Sequence, residues 1–154
     1  MKKFAVLLAA ALFCQPVFAE RIEGKVVAVL DGDTITVVDS SWQSHRFRLA
    51  GIDAPEKKQP FGQRSKQSLS NMVYGKRVSV DFEERDRYGR LIGTVMLPSG
   101  DVNLAQVRAG MAWHYKRYSS DQTYAKAEDD AKRSGRGLWS DKNPVPPWDW
   151  RRAK

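Results

Sequence analysis

Apolar and polar residues alternate with a period of two along five short stretches, residues 22–30, 34–39, 45–52, 77–84 and 91–97. Each is rich in β-branched or aromatic residues and bounded by Gly, Pro, Asp or Ser clusters, which predicts five strands. The period changes between the third and fourth, where Phe61, Leu69, Met72 and Val73 recur at helical spacing and Gly75 stands where a C-terminal cap would. After the fifth, Leu104, Val107, Arg108 and Met111 share one helical stripe that starts from an expected Asn103 cap and ends near Gly110. A third helix is expected to begin near Ser120 or Asp121, to carry the charged run 126–133 and to stop at Gly135. No internal repeat and no second domain interrupts this order.

Five strands, a helix between the third and fourth, and two trailing helices predict an α+β chain, mainly β, built as a five-stranded barrel of the oligonucleotide-binding type (OB-fold). Such barrels bind through the face of strands 2 and 3 and through the loops joining strands 1 to 2 and 4 to 5. The two most unusual loops of the chain fall at those two places: Asp31-Gly32-Asp33 within "VLDGDTITVV", and "RDRYGR" at 85–90.

The N-terminus concerns delivery. Lys2 and Lys3 precede an apolar run at 4–13, followed by Val17-Phe18-Ala19, a small-residue pattern suited to cleavage after Ala19. The run is shorter than the roughly 20 apolar residues that span a bilayer. Residues 1–19 therefore read as a signal peptide of an exported protein, periplasmic or secreted, with no membrane attachment after cleavage. An uncleaved anchor and a lipoprotein acylated at Cys14 are the alternatives; bulky Phe13 argues against the second. Cleavage would remove Cys14, the only cysteine of the 154-residue chain, and with it any disulfide, thiol nucleophile or cysteine-bound zinc. The remaining 135 residues suit one core. Losing Lys2 and Lys3 lowers the formal charge from +8 to +6, which still favours a polyanionic partner.

Asp-Gly between two alternating runs is by itself a hairpin signal, with glycine supplying a positive φ. Register adds a second reading. A hairpin of strands 2 and 3 centred on Gln43 sets Val37 opposite Leu49, Ile35 opposite Gly51 and Asp33 opposite Asp53. Two carboxylates meeting at the barrel mouth repel unless a cation or proton sits between them. With backbone oxygen and water they suit a hard cation such as calcium, held weakly, on the order of 10⁻⁴ to 10⁻³ M. Two separately solvated strand-end caps are the alternative. In "FRLAGIDAPE", 47–56, inward Phe47 and Leu49 turn Arg48 outward, so simple parity places Arg48 and Asp53 on opposite faces. The strand must bulge or end near Gly51 if the two serve one site.

"DGDT", "FRLAGIDAPE" and "DRYGR", in this order and spacing, resemble the staphylococcal nuclease (thermonuclease) family, with similarity from about Ile22 to Trp139. The resemblance implies a calcium-dependent, sugar-nonspecific nuclease that cleaves DNA and RNA to leave 3′-phosphates. It also implies that Asp33 and Asp53 ligate Ca2+ with the Ala54 carbonyl, that Glu56 acts through water, and that Arg48 and Arg90 bind the scissile phosphate. Ala54 departs from the usual threonine of the family; the carbonyl is kept and a hydroxyl near the phosphate is lost. Arg87 and Tyr88 resemble the family's contacts to nucleotide, and either Tyr115 or Tyr118 of "AWHYKRY" is a base-stacking candidate. A nucleic-acid-binding barrel without catalysis is the competing class, opposed by the presence of all five of Asp33, Arg48, Asp53, Glu56 and Arg90.

The two histidines, His45 and His114, are too few for a histidine-built metal site. Trp42 is expected to top a hairpin and Trp139 to pack the last helix on the barrel. The organisation expected is thus a signal segment at 1–19, a nuclease domain at 20–140 and a Pro/Trp/Arg-rich tail at 141–154, acting as a monomer. Prolines exclude a helix through that tail, which is expected to be an extended arm, packed, disordered or bringing Trp148, Trp150, Arg151 and Arg152 to nucleic acid.

Overall fold

The computed structural model describes residues 20–153, so the expected signal segment lies outside the described residues. In chain order the strands are β1 (Glu20–Val29), β2 (Thr34–Asp39), β3 (Ser44–Leu49), β4 (Ile52–Asp53), β5 (Arg77–Arg85), β6 (Leu91–Leu97), β7 (Gly100–Asp101) and β8 (Trp113–His114). β3, β2, β1, β5 and β6 are neighbours in that order, and a parallel pairing of Phe47 with Leu91 and Leu49 with Gly93 joins β3 back to β6. The five predicted strands thus close into a barrel, and β7 only extends its β6 edge. Alternation puts Val26, Ile35, Val37, Phe47, Leu49, Val80 and Val95 inside with no solvent exposure. Register shifts in β1 between Val26 and Ala28, and in β5 between Phe82 and Glu84, bend the strands as a closed small barrel requires.

The predicted register of the second hairpin is wrong by four residues. Thr34 pairs with Arg48, Ile35 with Phe47 and Val37 with His45. The turn is tighter than a centre at Gln43 allows, because Asp39 Oδ1 accepts hydrogen bonds from the amides of Ser41 (2.8 Å) and Gln43 (3.0 Å). Trp42 tops this turn with φ of 62° and its side chain in solvent. A shift of four is even, so the same residues still face inward and the apolar pattern cannot report it.

The third predicted strand also ends early. β3 stops at Leu49, Gly51 takes φ of 72°, and Ile52–Asp53 leaves the barrel sheet to pair with β8. The break falls at the residue where a shared site for Arg48 and Asp53 demands it.

The helices are α1 (Gly62–Val73), α2 (Val102–Arg108), α3 (Gln122–Arg133) and α4 (Pro147–Arg152), with a 3-10 turn at Gly137–Ser140. Gly75 follows α1 at φ 74°, and Asp121 caps α3 through the Thr123 amide, as the pattern predicts. Two expectations fail. The cap of α2 is Asp101, which accepts from the Leu104 amide at 2.9 Å. Asn103 is instead buried, accepting from Val95 N and donating to the carbonyls of Ala50 and Gly93, so it ties the helix to the strand break. The tail, moreover, is neither wholly extended nor loose: α4 makes a fourth helix, starting at Pro147 because a proline at the first helical position lacks only an amide that has no helical partner.

Candidate active site

The loop from β1 to β2 is more than a turn. Asp31 Oδ1 accepts from the Asp33 amide at 3.0 Å, and the Gly32 carbonyl accepts from Nε2 of Gln106 at 2.8 Å. Gln106 has no solvent exposure, and its Oε1 accepts from Ser68 Oγ at 2.7 Å, so α2 and α1 together clamp the loop. Gly32 is not among the positive-φ glycines. The expected reason for glycine is therefore replaced by close approach: a Cβ would overlap Ser65 Oγ and come within 2.8 Å of Ala54 Cβ. Replacing Gln106 with leucine would leave the buried Gly32 carbonyl without its side-chain donor and the half-buried Ser68 hydroxyl without its acceptor. Each such loss costs about 1–3 kcal/mol, so Gln106→Leu is expected to lower the unfolding free energy by roughly 2–4 kcal/mol, measured by urea denaturation. A change below about 0.5 kcal/mol, the range of ordinary surface substitutions, would show that the clamp does not hold the loop.

With the loop held, Asp33 and Asp53 meet without a ladder between them. Asp33 is paired by backbone to Leu49, whose amide donates to its carbonyl at 2.8 Å. Its Oδ2 reaches across the strand break to accept from the Ala54 amide at 2.8 Å. Arg48 lies between the two acids, 2.9 Å from Asp53 Oδ1 and 3.4 Å from Asp33 Oδ2. It also donates to the carbonyls of Leu49 (3.2 Å) and Ile52 (3.0 Å), groups freed where the strand breaks. Burial opposes its charge, but Asp33 and Asp53 outweigh that and strengthen the guanidinium's hold on its proton. Burial pushes the Asp53 carboxyl up despite its cationic neighbours. Burial and the nearby Asp33 charge push Asp31 up to about 6. Asp31 is a third acid at the mouth that the expected residue set leaves out, although the Asp-Gly-Asp spacing displays it. Glu56 follows in a turn in which its amide donates to Gln59 Oε1 at 3.0 Å.

The β5–β6 loop supplies the second arginine. Asp86 Oδ1 accepts from the amides of Tyr88 and Arg90, shaping the turn, while Asp86 Oδ2 accepts from Arg90 Nε at 2.7 Å. So held, Arg90 Nη1 stands 3.4 Å from Thr34 Oγ1, which itself donates to Asp33 Oδ1 at 3.1 Å. Tyr88, exposed, lies under both Arg87 (5.0 Å) and Arg90 (5.6 Å). Among the described residues Arg87 is thus placed against the Tyr88 ring and not against the acids.

Tyr115 lies beside the site, with Arg48 5.9 Å from its ring centroid. Tyr118 is one ring further out, edge-on to Tyr115 at 4.9 Å and exposed. Tyr115 is thus the tyrosine next to the acids, but its face is covered: Trp148 of α4 stacks on it at 5.3 Å and 3°. Trp139 packs against Trp113 at 4.3 Å, as expected of a residue fastening the last elements to the barrel. A cleft of about 520 Å³ opens here, lined by aromatic rings including Tyr115 and Trp148 and by five cations, of which Lys116 and Lys132 pair with the buried Glu128, whereas Arg117, Arg151 and Arg152 do not.

Arg151, expected at most as a tail contact to nucleic acid, instead reaches the acids. Arg151 of α4 donates through Nη2 to Asp53 Oδ2 (2.8 Å) and through Nη1 to Glu56 Oε1 (2.8 Å) and Asp53 Oδ1 (3.2 Å). Ninety-five or more positions separate it from these acids, and no local pattern connects them.

Among the described residues no three His, Cys, Asp or Glu side chains form a metal-holding group. The donors that Asp33, Asp53 and the Ala54 carbonyl can offer are all oxygen, which suits a hard cation and excludes thiolate or imidazole chemistry. The positive charge that such a pair requires comes here from Arg48 and Arg151.

The closed OB-type barrel thus gathers acids and arginines at its mouth, the place where barrels of this class bind their ligands. The sequence model of the family described as "Staphylococcal nuclease homologue" matches residues 46–141, which hold Arg48, Asp53, Glu56 and Arg90. Over its whole length the chain is 48% identical to an "Uncharacterized endonuclease" of Escherichia coli O157:H7, covering all of that protein. It is 47% identical over 88% of its length to an "Uncharacterized endonuclease" of Haemophilus influenzae, covering 76% of it. It is also 43% identical over 90% of its length to a "Micrococcal nuclease" of Shigella flexneri, covering 84% of it. The chain belongs to the staphylococcal nuclease family.

Proposed function

We propose that the protein is an exported, calcium-dependent endonuclease that hydrolyses phosphodiester bonds of DNA and RNA with little sequence specificity and leaves 3′-phosphate ends. The observation that supports it is the convergence of Asp33, Asp53, Glu56 and Arg48, from separate elements, beside a cationic aromatic cleft. That cleft fits an extended polyanion whose bases stack on aromatic rings.

Phosphodiester hydrolysis builds charge on the phosphoryl oxygens, and planar, always-charged guanidiniums meet that charge in fixed geometry. Arg48, anchored by two carbonyls, and Arg90, anchored by Asp86, are oriented before substrate arrives. Glu56 would orient the attacking water and accept its proton as the new oxygen–phosphorus bond forms and the 5′ oxygen leaves. A calcium ion held by Asp33, Asp53 and the Ala54 carbonyl would supply Lewis-acid stabilisation of the same charge. Tyr88, Arg87 and the tyrosine pair Tyr115 and Tyr118 would hold the flanking nucleotide. Export, to the periplasm or beyond, rests on residues 1–19; no described helix is long and apolar enough to cross a membrane. The enzyme is proposed to act as a monomer.

Purified protein incubated with plasmid DNA is expected to cut it in calcium and to stop when a chelator is added, with magnesium substituting poorly. The larger ion tolerates an irregular oxygen site, whereas magnesium demands near-ideal octahedral geometry. Equal rates in magnesium alone would overturn the calcium assignment. DNA binding without cleavage in either ion would favour the competing class, a binding barrel without catalysis.

A further inference from the structure

The guanidinium of Arg151 occupies the place where a cation is needed. It forms a fork on both oxygens of Asp53, a carboxylate only 1% exposed, and bridges it to Glu56. We propose that Arg151 is a built-in competitor of the divalent cation, holding Asp53 and Glu56 until the ion displaces it and so setting the ion concentration at which the site is filled. The proposal rests on the reading that Asp33 and Asp53 hold that ion.

Three observations carry it. Asp53 Oδ1 already accepts from Arg48 and Arg151, and Oδ2 from Arg151, so an ion binding these oxygens meets a guanidinium in its way. Like charges at contact distance in a partly buried site repel strongly, so an ion on Asp53 Oδ2, to which Arg151 donates and Arg48 does not, has to displace the Arg151 guanidinium. Arg151 is held less firmly than Arg48: its side chain is 41% exposed against 16%, and its bonds go to the carboxylates of Asp53 and Glu56, whereas Arg48 is also tied to the Leu49 and Ile52 carbonyls.

The element that carries Arg151 is built to deliver it. α4 has only six residues, too few to stand alone, and its position comes from side chains. Gln59 Nε2 donates to the Val145 carbonyl at 2.6 Å just before the helix, and Trp148 stacks on Tyr115 within it. Arg152, the next residue, turns away to Asp149.

A competitor present at fixed local concentration lowers the apparent affinity for the ion by the fraction of molecules in which it has left. Calcium titrations by calorimetry on the wild type, Arg151→Gln and Arg152→Gln test this without reference to turnover. Arg151→Gln is expected to bind calcium about tenfold more tightly, within the usual range of coupling between two ligands, and Arg152→Gln to match the wild type. Arg151→Lys, which keeps charge without the fork, should fall between. In chelator, Arg151→Gln should melt below the wild type and gain more from added calcium, because only the ion then relieves the acids. Calcium affinity of Arg151→Gln equal to or weaker than the wild type would overturn the proposal and leave Arg151 a structural clasp. If the variant folds, by circular dichroism, and still binds no calcium at millimolar concentration, the calcium reading falls and the competition falls with it.

Discussion

Glu56→Gln is expected to lower turnover by about 10²- to 10⁴-fold, the usual contribution of a positioned acid or base. Binding of DNA should change little, since the substitution keeps size and hydrogen-bonding reach while removing charge and basicity. Glu56 is suited to this test because it sits at the rim, half in solvent, on a turn shaped by Gln59 and Pro55 rather than by its own carboxylate. The glutamine therefore should not disturb the fold. It does remove one partner of Arg151, so kinetics should be run at saturating calcium, where that contact is already broken under the proposal. Single-turnover cleavage with binding measured separately checks the result, because it separates chemistry from affinity. Turnover within about threefold of the wild type would dismiss the role of Glu56.

Arg48→Lys and Arg90→Lys are each expected to lose about 10²-fold or more in turnover, the scale of removing one preorganised donor. Lysine keeps the charge but has no planar fork and cannot address two phosphoryl oxygens at once. The two variants separate site from scaffold. Arg48 also holds the Leu49 and Ile52 carbonyls at the strand break, so Arg48→Lys should lose stability as well, by about 1–3 kcal/mol. Arg90 has side-chain partners at Asp86, Thr34 and the exposed Tyr88 ring rather than at a broken strand, so Arg90→Lys should lose turnover with its melting point nearly unchanged. Near-wild-type turnover for Arg90→Lys would make it a loop residue paired with Asp86 and nothing more. The same outcome for Arg48→Lys would reduce Arg48 to a brace for the broken strand.

The chain by itself determined the barrel and most of its mouth. Period-two alternation depends only on which residues avoid water, so it reported the five strands and their inward faces within a few residues of their ends. Cap and stop residues are equally local, and Gly75, Asp121 and Gly135 fall where the expected helices end or begin. The family motifs mark Asp33, Arg48, Asp53, Glu56 and Arg90, and parity demands a bulge or strand end near Gly51 if Arg48 and Asp53 share a site, close to where β3 does end.

What only the tertiary structure decided lies where parity or locality carries no information. An even register slip leaves the same side chains inward, so the centre of the second hairpin depended on Asp39 tying up two amides, not on hydrophobicity. Asn103 looked like a cap because its type and place suit one. Burial against the Ala50 and Gly93 carbonyls claims it instead, and Asp101 takes the cap. Gly32 is glycine because Ser65 and Ala54, distant in sequence, close on it, rather than because its backbone is unusual. Arg151 reaches Asp53 from the far end of the chain. Only packing of Trp148 on Tyr115 and the bond from Gln59 to Val145 bring it there, and contacts between distant segments leave no periodic trace in either one.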